Sequence, residues 1–194
     1  MRRYSLAETI SLMREKQISL FSLADFGRLF EIENKETLYK KISRLEKKKI
    51  IRKLIKGKYL FLFNQPDDYL IANYLYQPSY ISLETALSFY GLITGFSYKI
   101  TSITPKKTKN IIVDNKEFSY TQISLSLFWG YEKKQGFLLA EKEKALLDYL
   151  YLYTKGLRGF DKEEFELKEI NKKKLFSYAK KFNNPKLLSI IDNL

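Results

Sequence analysis

The sequence predicts an α+β protein in two parts. An N-terminal domain over residues 1–64, built from three short helices and a hairpin, is followed by a small mixed α/β domain over residues 79–194, with a connecting helix in residues 65–78. Three observations predict it. Apolar residues recur at helical spacing in three successive segments before residue 48, each segment opened by a side chain suited to capping. A Lys56-Gly57-Lys58 turn then divides two short β-prone runs. Beyond residue 97, a stretch rich in Ile, Ser, Thr and Tyr gives way to helical periods again.

The first helix is expected over residues 5–17, with Ser5 as N-cap and Leu6, Ile10 and Met13 on its apolar stripe. Residues 18–21 read as a short strand. Ser22, with Asp25 three positions on, opens a second helix running to about Phe30, although the usual partner in such a box is Glu or Gln. Asn34 caps a third helix in which Leu38, Ile42 and Leu45 form one narrow apolar stripe. At 100° per residue the opposite face carries Glu36, Lys40, Ser43, Arg44 and Lys47, flanked by Thr37, Tyr39 and Lys48. Residues 50–55 and 59–63 form the hairpin strands, with Gly57 supplying a positive φ. Helix, strand, helix, helix, strand, turn, strand is the order of a winged helix-turn-helix, whose third helix has the diameter to enter a major groove.

The second part is expected to begin after Pro78, which stops a helix over residues 69–76. Ser82 caps a helix to Tyr90 that Gly91 ends. Strands of a small sheet fill residues 97–128, with turns at Pro105 and Asp114-Asn115. A helix from Glu141 to about Tyr153 turns Ala145, Leu146, Tyr149 and Leu150 inward. Two last helices, over residues 172–182 and 185–193, are separated by Asn183-Asn184-Pro185.

Charge narrows the function. Lys plus Arg number 35 against 22 Asp plus Glu, a net of +13, which favours a polyanionic partner. Residues 1–64 hold 16 basic and 7 acidic side chains, and residues 35–58 hold eleven basic ones against only Glu36 and Glu46. An AT-rich codon bias accounts for abundant lysine but not for its clustering. The chain has no Cys and no His, which removes disulfides, thiolate and imidazole metal sites and most hydrolase nucleophile–base pairs. No cofactor or metal is expected, and no enzyme activity. The basic start Met1-Arg2-Arg3 runs into polar sequence, and no stretch approaches the ~18 apolar residues of a membrane span, so a cytoplasmic protein without a membrane partner is expected.

The segment over residues 35–51, from Lys35-Glu36-Thr37-Leu38 to Lys49-Ile50-Ile51, resembles the recognition helices of bacterial winged-helix regulators. Where such regulators carry Gly before the first hairpin strand, this chain has Lys49, which predicts a helix end without a left-handed cap. Three further blocks follow in order: Pro78-Ser79-Tyr80-Ile81-Ser82-Leu83-Glu84-Thr85-Ala86 continuing to Ile93, then Ile100-Thr101-Ser102-Ile103-Thr104, then Ala140-Glu141-Lys142-Glu143-Lys144-Ala145-Leu146-Leu147-Asp148. Together these resemble the AbiEi-type antitoxins of bacterial abortive-infection systems (type IV toxin–antitoxin). The resemblance implies a transcriptional autorepressor that binds inverted repeats in promoter double-stranded DNA. It also implies that the C-terminal domain opposes a nucleotidyltransferase-like toxin without forming a stable complex with it. It places DNA contacts on Lys40, Arg44, Lys47, Lys56 and Lys58.

From the residues themselves, the DNA-facing set is Glu36, Thr37, Tyr39, Lys40, Ser43, Arg44, Lys47, Lys48, Arg52, Lys56 and Lys58. The cations neutralise phosphates, while Thr37, Lys40 and Arg44 reach base edges. A merely solvated helix face is the competing reading; Glu36 suits the helix dipole better than cytosine, and Tyr39 packs as readily as it touches phosphate. One alternative is a winged-helix regulator whose C-terminal domain senses a ligand or dimerises. Another is a metal-dependent nuclease built on Pro66-Asp67 and Asp114-Asn115-Lys116, though both motifs are also ordinary turn signals. Glu163, Glu164 and Glu166 read as a solvated segment.

Overall fold

The structure, a computed structural model, describes residues 4–95 and 98–194. The basic start, Met1 to Arg3, and Ser97, where the strand-rich region was expected to begin, lie outside the described residues. The chain is a mixed α/β protein with two sheets among the described residues, and it divides into two compact units, Met1–Leu75 and Tyr76–Leu194. The break thus falls between Leu75 and Tyr76, inside the segment expected as a connector, and the helix preceding it belongs to the first unit.

In that unit, α1 (Leu6–Glu15) and α2 (Leu23–Leu29) both open on a reciprocal capping box. Ser5 Oγ accepts from the Glu8 amide while the Glu8 carboxylate accepts from the Ser5 amide at 2.7 Å. Asp25 closes the second box as Glu or Gln would, accepting from the Ser22 amide at 2.9 Å. Hydrogen bonds from Ser22 and then Arg28 hold its carboxyl below the usual carboxylate range. Asn34 Oδ1 accepts from the Thr37 amide at 2.9 Å and starts α3 (Lys35–Lys47).

Strands β1 (Leu20–Ser22), β2 (Ile51–Ile55) and β3 (Lys58–Phe61) form an antiparallel sheet in the order β1-β3-β2. Gly57 turns the β2–β3 hairpin with φ 78°, and its carbonyl accepts from the Leu23 amide at 3.0 Å, which ties the hairpin tip to the start of α2. Met13, Phe21, Phe26, Phe30, Leu38, Ile42, Leu45, Ile51, Tyr59 and Phe61 are among the side chains closing the core between helices and sheet. The Leu38, Ile42 and Leu45 stripe is buried as the spacing requires. The end of α3 departs from expectation. Lys49 itself takes the left-handed conformation at φ 55°, and the Ile50 amide reaches back to the Leu45 carbonyl at 3.0 Å, so a left-handed cap forms without glycine. Helix α4 (Asp68–Leu75) closes the unit, with Asp67 Oδ1 accepting from the Tyr69 amide at 2.7 Å.

The second unit carries a six-stranded sheet of β4 (Tyr80–Ile81), β5 (Ile100–Thr104), β6 (Lys109–Val113), β7 (Lys116–Gln122), β8 (Tyr131–Lys134) and β9 (Phe137–Ala140), ordered β6-β7-β5-β4-β9-β8. β5 with β7 and β4 with β9 run parallel, and the other neighbours are antiparallel. Asp114 and Asn115, at φ 49° and 65°, make the two-residue β6–β7 turn. The β8–β9 hairpin and β4 have no counterpart in the sequence reading, and Leu125–Leu127, expected as strand, is a 3-10 turn. Helices α5 (Leu83–Phe89), α6 (Lys142–Thr154), α7 (Lys172–Lys180) and α8 (Pro185–Asp192) complete the unit. Ser82 stands at the N-cap of α5, but its hydroxyl makes no capping bond and donates instead to Asp148 Oδ2 at 2.9 Å. Among the described residues no helix is long and apolar enough to cross a membrane.

Candidate nucleic-acid interface

Because one stripe of α3 is fixed in the core, its other side is obliged to face solvent. Glu36, Thr37, Tyr39, Lys40, Ser43, Arg44, Lys47 and Lys48 are all exposed on it. Lys35 and Lys49, absent from the expected set, extend the same cationic surface at either end, and Lys53 adds a third exposed cation on β2. Their signal was already present in the basic run over residues 35–58. Glu36 and Lys40 pair at 2.6 Å with both side chains about three-quarters exposed, an interaction worth only ~0.3–0.5 kcal/mol that an incoming phosphate can displace.

Beside this face, α1 and α3 border a cleft of about 470 Å3 in which Lys40, Lys41 and Arg44 meet the hydroxyl-bearing side chains of Ser5, Thr9 and Thr37. Lys41 leans in over the Phe30 ring at 4.5 Å and the Tyr4 ring at 5.4 Å. Burial lowers its pKa, partly opposed by the charge of Glu8. Lys41 was not among the expected residues, because its ring contacts involve residues 11 or more positions away.

The hairpin contributes unequally. Lys56 is exposed at the turn, and Arg52 lies half-buried on β2 opposite Leu60. Lys58 is a correction. Expected at the hairpin surface with its charge toward DNA, it instead turns its ammonium onto the carbonyls that end α4, donating to Tyr74 O and to Leu75 O at 3.2 Å, with the Tyr74 ring 4.8 Å away. A cation there completes acceptors that a helix C-terminus leaves open. Lys58 is therefore committed within its own unit.

The nuclease alternative gains no geometry. Asp67 caps α4 and Asp114 occupies a hairpin turn. Among the described residues no group of three or more Asp or Glu could hold a metal ion. Glu163, Glu164 and Glu166 are exposed.

The second unit hides a charged cluster that the sequence reading missed. Lys144 and Asp148, one turn apart on α6, are both fully buried and paired. Tyr80 Oη donates to Asp148 Oδ2 at 2.9 Å and accepts from Lys144 Nζ at 2.9 Å, and Ser82 Oγ supplies the further donor. Burial pushes the Asp148 carboxyl up, against the pull of Lys144, Ser82 and Tyr80; burial pulls the Lys144 ammonium down, against the pull of Asp148. Fully buried, the four side chains satisfy one another's hydrogen-bonding groups. No family model matches the chain, and a search of the curated proteins finds no match to it.

Proposed function

We propose that this protein is a DNA-binding transcriptional autorepressor whose first unit is a winged helix-turn-helix, and that it serves as the antitoxin of a type IV abortive-infection pair opposing a nucleotidyltransferase-like toxin. The observation that carries the DNA reading is the exposed cationic face of α3 standing opposite its buried Leu38, Ile42 and Leu45 stripe. The element order and the β1-β3-β2 sheet support the winged-helix assignment, since they place a hairpin beside the outward helix. Lys40 and Arg44 read bases, Lys47, Lys48 and Lys56 neutralise phosphates, and no residue is given a catalytic role. Two copies would be needed to occupy an inverted repeat.

Fluorescence anisotropy against the DNA upstream of the protein's own gene tests the reading. Arg44→Ala and Lys40→Ala each cost about 1–3 kcal/mol of specific binding, while Lys56→Ala weakens all sequences alike and flattens the salt slope by about one unit. Lys58→Ala leaves the salt slope unchanged. If all three surface variants bind like wild type, the interface lies elsewhere. The antitoxin role is tested separately: the proposal requires a nucleotidyltransferase gene beside this one, and a neighbourhood without it, or growth not restored on co-expression with its product, sinks that half alone.

A further inference from the structure

The second unit holds a cavity of about 620 Å3 between α6, α7 and α8 that the DNA-binding reading does not use. Its floor is apolar: Leu146, Ile170, Leu175 and Ile191 are buried, and Phe176 stands at the edge, 37% exposed. Aliphatic walls of this kind select for shape and offer no hydrogen bond to a polar ligand body. The rim is different. Lys172, Lys173, Lys180 and Ser177 line it, with Asp192 as the acidic side chain among the lining residues.

Two of those lysines are placed against the electrostatics of their own helix. The first turn of the nine-residue α7 is Lys172, Lys173 and Lys174 with no acidic residue, although the partial positive charge of a helix start favours anions there. Lys174 is answered by Glu141 and Glu143, each at 3.0 Å. Lys172 and Lys173 have no acidic partner among the described residues and border the cavity instead. Cations gathered at a helix start, beside an open apolar trough, are complementary to a negative headgroup carrying an apolar tail.

We propose that this cavity binds an amphipathic monoanion, an aliphatic chain ending in a carboxylate, with the chain against Leu146, Ile170, Leu175 and Ile191 and the carboxylate at the rim formed by Lys172, Lys173 and Ser177. The volume lies within the range of small-molecule clefts. The proposal is independent of the DNA-binding reading.

Isothermal titration of the full chain with sodium decanoate tests it. The expected result is one saturable site per chain, with 1-decanol binding about tenfold more weakly because it makes no charge-assisted contact. A Lys172→Ala/Lys173→Ala double variant, altered only at exposed positions, loses about the same factor for decanoate and little for decanol. Ser177→Trp fills the trough from an exposed position and abolishes binding, with an unchanged circular-dichroism spectrum showing that the fold persists. Uptake of several molecules per chain, equal affinity for decanol, wild-type affinity in both variants, or binding only to anionic phospholipid vesicles overturns the proposal.

Discussion

Lys49 and Leu83 both hold a left-handed backbone, at φ 55° and 58°, and their surroundings give that shared conformation opposite consequences. Lys49 is exposed, so nothing but the cap itself offsets the ~1–2 kcal/mol that an L-residue spends there. Lys49→Gly is therefore expected to stabilise the first unit by roughly 0.5 kcal/mol, after the greater freedom of glycine in the unfolded chain is subtracted. Leu83 is fully buried, and the ~1.5–3 kcal/mol gained by removing its side chain from water outweighs the strain, so Leu83→Gly is destabilising. Urea denaturation of the two variants checks the contrast; a Lys49→Gly midpoint below wild type contradicts it. Glu141 shows how neighbours decide a titration. Burial alone would raise its carboxyl, but the hydrogen bonds from Tyr178 and Lys174 prevail and hold it below its ordinary 4.5. A carboxyl lowered by folding contributes stability that is complete above its unfolded value and is lost as pH falls through the lower folded one. Thermal melts below pH 4.5 should decline more steeply for wild type than for Glu141→Gln, and superimposable profiles would discount the pair. Capping residues such as Ser5, Ser22 and Asn34 were readable because they act within three positions. Lys49 was not, because its conformation is imposed by the turn into β2.

Helices α3 and α6 each carry an i,i+4 pair, and in the sequence the two look alike. Glu36 and Lys40 stand in solvent, whereas Lys144 and Asp148 are sealed under Tyr80 and Ser82, more than sixty residues away in the chain. Local periodicity cannot separate them, since burial of the second pair depends on β4, a strand of two residues with no pattern of its own. The buried pair is not evidence of net stabilisation, because desolvation consumes much of the Coulombic gain. Losing one partner is another matter: Lys144→Met is expected to cost about 3–5 kcal/mol by stranding Asp148. The double variant Lys144→Met/Asp148→Leu should recover most of that loss. Equilibrium denaturation of the singles and the double gives the coupling, and additive effects would show that the two charges act separately. The outward face of α3 was legible for the converse reason: a stripe of three residues fixes the helix rotation, and everything opposite must be exposed. The hairpin was legible as an element but not in detail, since the destination of Lys58 depends on where α4 ends.

Across the chain, sequence periodicity located elements more readily than it located their partners. The helices of the first unit and the α6 to α8 series follow from spacing and caps, while half of the larger sheet escaped notice because β4, β8 and β9 are short and gain their meaning from pairing. The same sheet imposes an order in time. Every pairing of the smaller sheet closes within residues 20–61, but Ile81 and its parallel partner Leu139 stand 58 positions apart in the chain. Loop closure over that span must be met before the pairing returns anything, and parallel pairing at long separation is slow. Refolding should accordingly show a fast phase reported by the first unit and a slower one reported by Trp129 in the second, and a single shared rate would argue against it. During synthesis the same asymmetry has a practical meaning: the cationic helix is finished while the sheet still awaits residue 140, so a nascent chain can present its outward face before the half that follows has any shape.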